Sequence, residues 1–502
     1  MIFEGIKHIT NKSEFLEKIL IYIRIVEVLA DKFKLPNSVE FVHANSETIT
    51  EIIDMGVIEA EDEMKLLKNI LGNDYARFIK CVNTYLSNKQ VFGNYLDKLS
   101  NKKRAELQKA EQKSGKPNFV DFFAGAGGLS CGFVQAGFRV LFANDNEEVC
   151  IRTYKYNHPE LSSSMVLKED IRKIADNLSD YVKEDVDLVV GGPPCQSFSS
   201  ANQRRVIDDP RNVLYKYYIE AIKHLCPKFV VMENVKGMLS VADQVISDYE
   251  AIEIEKNGVK YSYRVSNRLL NAVNFGVCQS RERLIFIAIR NDIAAAKGIT
   301  PETIFTQIER ENAANSPINL QAALNYIKPL DAPRIKGQTE LDDEKTGMKI
   351  AVNEYDNCGN GYLNRINNGQ QFPYVFNHKA RYCSDVNYEI FKRLGQGEDS
   401  TNPKIADIMP YAHRNDIFKD KYYKLIADKP SRTITAHLKM DCLSHIHPTQ
   451  IRSITPREAA RVQSFPDDYL FLGAYLKTYM QIGNAVPVLM AKKIAETIKQ
   501  YL

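Results

Sequence analysis

Cys195 follows Asp187-Leu188-Val189-Val190-Gly191-Gly192-Pro193-Pro194, an apolar run closed by two glycines and two prolines. The glycines let the backbone turn where a side chain would clash. The prolines fix φ and forbid helix just before the thiol. Such a bend presents one nucleophile, whose reactive form is the thiolate. Glu233 stands at the end of a second apolar run, Phe229-Val230-Val231-Met232. Gln279, Arg281 and Arg283 alternate ahead of a third, Leu284-Ile285-Phe286-Ile287, so alternation puts an amide and two guanidinium groups on one face. A thiol, a carboxyl acid and two fixed cations suit a polar, anionic or oxygen-rich substrate. Each group also has a plain alternative: a buried inert thiol, a solvated strand-end carboxylate, a structural ion-pair network.

Strands ending on one edge of a sheet must position these groups, because sites in open α/β sheets lie outside the carboxyl ends of strands. Asn118–Phe123 reads as a strand, and Ala124-Gly125-Ala126-Gly127-Gly128-Leu129-Ser130 as a glycine loop opening a helix. That is the start of a nucleotide-binding α/β unit, although the loop lacks the full G-x-G-x-x-G. The next strand ends at Asn144-Asp145, an acid about 20 residues past the loop, where a ribose hydroxyl pair is gripped. Loop plus acid points to an adenosine-containing cofactor. A third acidic end precedes a short helix at Asp170-Ile171.

The 502 residues are 44% hydrophobic and 26% charged, with a net charge of +3. A soluble protein with a large core fits those values; a whole-molecule basic field does not, so any nucleic-acid surface must be a local cleft. The nine cysteines form no C-x-x-C pair, which argues against zinc or any other metal and against a disulfide framework, and suits a reducing cytoplasm. The first residues show no signal-peptide pattern, and no uninterrupted apolar run approaches the ~20 residues of a membrane span, so neither is expected.

Residues 1–117 read as mostly helical. Glycine between two helical patterns, at Gly56, admits a helix-turn-helix around 47–71, against the blander reading of a helical packing domain. Ser199–Asn212 is polar and aperiodic, hence expected as a mobile loop. Residues 291–428 are irregular, and their Asn377–Arg381 and His413–Asn415 clusters carry donors suited to base edges and phosphates. Thr455-Pro456 starts a helix with threonine at the N-cap and proline at N1.

The order of these stretches resembles the DNA cytosine-5 methyltransferase family of bacterial restriction–modification systems. The resemblance runs from Asn118 onward and rests on F-V-D-F-F-A-G-A-G-G, G-G-P-P-C-Q-S-F-S, E-N-V, Q-S-R-E-R, T-P-R-E-A-A-R-V-Q-S-F-P-D and Q-I-G-N-A-V-P, in the family's order. It implies an α/β, doubly wound, mainly parallel, Rossmann-like catalytic domain over 118–300, completed by 476–502. A smaller target-recognition domain would span 301–475, behind an N-terminal helical extension over 1–117.

The resemblance further implies S-adenosylmethionine as cofactor. Phe123 would stack on its adenine, Gly125, Gly127 and Gly128 would pass its amino-acid end, and Asp145 would hold the ribose. Asp170 and Ile171 would flank the adenine, and Asn484 and Val486 would close the far side. Cys195 would be the nucleophile adding to cytosine C6, with Glu233, Arg281 and Arg283 as catalytic partners. Nucleic acid would be met by Gln196, Arg204, Arg211, Gln279, Thr433 and Ile434. Arg211-Asn212 replaces the family's Arg-Gly, and Asp145 a more common glutamate. The target cytosine must leave the base stack, with 196–212 as its lid. The implied partners are double-stranded DNA and a cognate restriction endonuclease, with no membrane, and the chain is expected to act as a monomer. Two other readings are a tRNA cytosine-5 methyltransferase and a DNA-binding regulator acting through the N-terminal region.

Overall fold

The structure, a computed structural model, describes residues 1–35, 42–194, 213–355, 359–410 and 421–502. Short apolar runs become the strands β1 (Asn118–Phe122), β2 (Arg139–Asp145), β3 (Val166–Lys168), β4 (Leu188–Gly191) and β5 (Phe229–Val235). They are followed by β6 (Ile254–Lys256), β7 (Val259–Tyr261), β8 (Tyr263–Asn271), β9 (Glu282–Arg290), β10 (Gly347–Val352) and β11 (Tyr374–Lys379). Seven strands make one sheet in the order β3-β2-β1-β4-β5-β9-β8; β6–β7 and β10–β11 are separate two-stranded hairpins. β1 to β5 pair in parallel, whereas β9 runs antiparallel to β5 and β8 antiparallel to β9. The sheet is therefore doubly wound and mainly parallel, as the sequence implies. Its order reverses between β1 and β4, and crevices form at such switch points.

Alternation along the strands divides the apolar side chains between two cores. Phe119, Leu188, Val190, Phe229 and Val231 face one; Val120, Phe122, Val189, Val230 and Met232 face the other. The second core is covered by Val213–Leu225 and Ala242–Glu250. Over the first lies Gly128–Gln135, packed against Val488–Lys499 so closely that a Cβ on Gly132 would stand 2.5 Å from the Ala491 methyl and 2.7 Å from the Val488 carbonyl. This core also takes in Ile304, Phe305 and Ile308 of the helix Pro301–Asn312, and Ala459, Ala460 and Val462 of Pro456–Val462. The apolar interior of the sheet thus continues past residue 300 and begins again before 476.

Residues 1–116 carry the helices Lys12–Lys32, Ser46–Met55, Met64–Leu71, Tyr75–Ser87 and Asn101–Gln112. Ile23, Leu29, Ile52 and Phe78 form a third core there, which is shared with Tyr156, Ile350, Tyr374, Phe376, Leu470 and Leu472. Among the described residues no helix is long and apolar enough to cross a membrane, and no group of His, Cys, Asp and Glu could hold a metal ion.

Candidate active site

A cleft of about 520 Å³ opens where β1, β2, β4 and β5 end. β1 leads into Phe123 at φ +57° and Gly125 at φ +56°, conformations uncommon outside glycine. A Cβ on Gly125 would meet nothing within 4 Å, so this stretch of backbone faces open cleft. The Gly125 N–H donates to Asp145 Oδ2 at 2.8 Å, and the Glu147 N–H donates to Oδ1 at 2.8 Å. Asp145 thereby ties the glycine loop to the end of β2, and burial raises its carboxyl pKa. Asp170 caps the short helix Ile171–Ile174, accepting the Arg172 N–H at 3.0 Å and pairing with its guanidinium at 2.6 Å. The hydrogen bond from Arg172 holds the Asp170 carboxyl below its ordinary pKa. Exposed Asn484 and buried Val486 close the opposite wall. Open backbone at Gly125, a half-buried ring at Phe123 and a fixed carboxylate at Asp145 fit an adenosine-bearing group.

The other end of the cleft holds Glu233 and Arg283, on neighbouring strands. Arg283 Nε donates to Glu233 Oε1 at 2.7 Å, both side chains being mostly buried. Glu233 Oε2 would be 3.1 Å from a Cβ on Gly192, so glycine leaves room for the carboxylate beside the end of β4. Asn234, next on β5, donates from Nδ2 to the Pro193 carbonyl at 3.1 Å. The strand end that bears the acid therefore also fixes the Pro193-Pro194 turn. Cys195, Gln196, Arg204 and Arg211 lie outside the described residues.

Four expected contacts are corrected. Gly127, at φ +89°, does not line the cleft; a Cβ there would strike Tyr469 Oη at 2.6 Å and His158 Nε2 at 2.8 Å. It is a packing residue, whereas Gly128 lines the cleft and also abuts the Val486 carbonyl. Arg281 is 1% exposed and donates to the carbonyls of Ile434 at 2.5 Å, Gly483 at 3.0 Å and Ala485 at 3.0 Å. Its two Nη atoms are taken by these carbonyls, while Nε is buried without a protein acceptor among the described residues and the residue lines the cleft, so the side chain holds the wall formed by Ile434 and Gly483–Ala485. Burial and then the nearby Arg283 charge hold its pKa well below the ordinary value. Gln279 is fully buried, accepting the Ile434 N–H at 2.7 Å and donating to Gln463 Oε1 at 2.8 Å. Ile434 is likewise 0% exposed. Neither side chain is available to nucleic acid. Thr433 stays half-buried and donates to the Ser280 carbonyl at 2.8 Å.

The Asn377–Arg381 cluster is also consumed internally. Asn377 donates to the Phe471 carbonyl at 2.9 Å, His378 bonds Thr455 and the Lys328 carbonyl, and Lys379 pairs with Asp342 at 3.0 Å. Arg381 donates to the carbonyls of Leu438 and Met440. His413–Asn415 lies outside the described residues. Sequence reasoning missed Asn234 and Gln463. The latter donates to the Ile482 and Ala485 carbonyls at 2.7 and 3.1 Å. Their signal was present, an amide inside E-N-V and one inside V-Q-S-F-P.

The pattern of the C-5 cytosine-specific DNA methylases matches residues 117–500. The chain belongs to that family. It is 30% identical over 432 residues to the type II methyltransferase M.AgeI of Thalassovita gelatinovora, covering 76% of this chain and 98% of that one. It is 33% identical over 405 residues to M.DdeI of Desulfomicrobium norvegicum, covering 76% and 89%. A solved E. coli prophage protein named for DNA modification shares the fold at TM-score 0.56 and 22% identity, over 77% of this chain and 99% of that one. This DNA cytosine-5 methyltransferase thus methylates C5 of cytosine in DNA, and its cleft sits where the fold's switch point places it. The methyltransferase match begins at residue 117, so the helical unit before it lies outside the matched residues.

Proposed function

We propose that Cys195 attacks C6 of an extruded cytosine while Glu233 and Arg283 hold the ring. C5 of cytosine is a poor nucleophile, and thiolate addition to C6 makes it enamine-like. A free thiol has a pKa of about 8.5, so the pocket must favour the anion. Glu233 shares a proton with ring N3 as the S–C6 bond forms, and Arg283 stabilises charge developing at O2. S-adenosylmethionine would be held by Phe123, Gly125, Gly128, Asp145, Asp170, Ile171, Asn484 and Val486, and would supply the methyl group to C5, leaving as the neutral thioether. A base then takes the C5 proton, the S–C6 bond breaks, and the Cys195 thiolate leaves.

The single observation behind this reading is the Glu233–Arg283 pair at 2.7 Å, in one cleft with Asp145 and beside the turn that leads to Cys195. DNA carrying 5-fluorocytosine at the target tests it. Fluorine cannot leave as a proton does, so a covalent adduct should accumulate, and Cys195→Ser should abolish both the adduct and turnover. Absence of an adduct where ordinary DNA is methylated would refute the covalent route.

Residues 301–475 are proposed to read double-stranded DNA, beyond the part of that segment buried in the sheet's core. Grafting the exposed part from a relative of different specificity should move the methylated site, as bisulfite sequencing would report. A cognate endonuclease cutting the same unmethylated site completes the proposed system. Action as a monomer is part of the same proposal.

A further inference from the structure

We infer that the N-terminal helical unit is a brace setting the DNA-reading segment against the cofactor-side helix, with Glu17 as the positioning residue at its junction. Glu17 lies on the first long helix, and its carboxylate serves three separate parts of the enzyme. It takes Lys349 Nζ of β10 at 2.8 Å, pairs with Arg152 of the helix Glu148–Asn157, and is stabilised by the Gly473 backbone N–H. That helix begins just after Asp145, and its Cys150 lines the cleft. β10 belongs to the hairpin whose second strand ends in the buried Asn377–Lys379 stretch.

The surrounding contacts run to the same two partners. Arg24 Nε donates to the Ile350 carbonyl at 3.0 Å and Lys32 Nζ to the Asn353 carbonyl at 2.6 Å. Tyr95 meets Tyr374 edge-on at 5.9 Å. On the cofactor side Arg104 donates to the Lys155 carbonyl and Gln108 to the Pro159 carbonyl, the latter at 3.0 Å. The apolar core shared with Tyr156, Ile350 and Phe376 holds the unit in place. Glu17, with its side chain 25% exposed at the edge of that core, decides how the two partners sit relative to each other. The unit is thus no free-standing DNA reader but part of the geometry that presents DNA to the cleft.

The full-length Glu17→Gln variant tests this, since the amide keeps the size and removes the charge both cations need. KM for duplex DNA should rise, and preference for the cognate over a one-base-different site should fall, by about five-fold or more, the low end for coupled sites. kcat at saturating DNA should stay near wild type. Lys349→Gln should shift both readouts in the same direction and add little to Glu17→Gln, because Glu17→Gln already breaks the Lys349 link. A lower melting temperature with unchanged KM and discrimination would overturn the inference, leaving a merely structural role; so would no change at all. Should Glu17→Gln not fold, Lys349→Gln on the rim carries the same readouts. The inference rests on 301–475 reading DNA. If that reading is wrong the segment graft leaves the site unchanged; if only the brace is wrong, the graft moves the site while Glu17→Gln changes nothing.

Discussion

Replacing Arg281 by methionine separates a positioning role from a catalytic one. Three carbonyls lose a charged donor, those of Ile434, Gly483 and Ala485, at 2.5, 3.0 and 3.0 Å. Hydrogen bonds to a charged group contribute about 1.5–3 kcal/mol each, which would give roughly 5–9 kcal/mol if they were independent. Burying the guanidinium opposes this by several kcal/mol, in the direction its lowered pKa indicates. The net loss of stability should be about 2–4 kcal/mol, read by denaturant unfolding. Because the same side chain holds the Gly483–Ala485 wall, the KM for S-adenosylmethionine should rise with it. Arg283→Met and Glu233→Gln should behave differently: kcat should drop by about 10²-fold or more, with a small change in unfolding. If Arg281→Met keeps wild-type stability and cofactor KM yet loses kcat, the guanidinium touches the reacting base and the assignment here is wrong.

Two further outcomes are expected. Asp145→Ala should weaken S-adenosylmethionine binding by about 1.5–3 kcal/mol, measured by calorimetry, with DNA affinity nearly unchanged; unaltered cofactor affinity would move the ribose contact elsewhere. His378 is buried as a neutral ring, its pKa lowered by burial from 6.5 to about 4. Its contribution is present above pH 6.5 and is lost as pH falls towards 4, an amount of about 3 kcal/mol. His378→Gln should therefore flatten the fall in melting temperature over that window, and parallel profiles for the two proteins would contradict it.

The strand ends were legible because each is a short apolar run stopped by glycine, proline or a charge, and period two then fixes which side chains share a face. That is enough to bring Glu233 beside Arg283 and to set Asp145 against the glycine loop. The same alternation did place Gln279 and Arg281 with Arg283, yet it could not say what covers them. The covering pieces, Ile434, Gln463 and Gly483–Ala485, arrive from more than 150 residues away, and they turn two expected ligand contacts into internal ones. Asn377–Arg381 misled for a related reason. Its donors look surplus in sequence, but carbonyls of Phe471, Lys328, Leu438 and Met440 absorb them. The union of the first helices with β10 and β11 left no local trace, since shared apolar burial between distant segments has no period.

The closure of the glycine loop by late residues has a kinetic consequence. Tyr469 reaches back across 343 residues to the Ala126 carbonyl, and Val488–Lys499 packs on the helix that follows the loop. At translation rates of about 5–20 residues per second, roughly 20–70 s separate the synthesis of the two partners. During that interval β1 and its loop exist without one wall, and the apolar face of Gly128–Gln135 stays open to solvent. Pairings of such long range slow folding and expose the chain to aggregation. The nascent protein therefore reaches methylation competence only when its last-made elements dock on its earlier strands, and a chain halted before residue 469 carries the catalytic strands without a finished cleft.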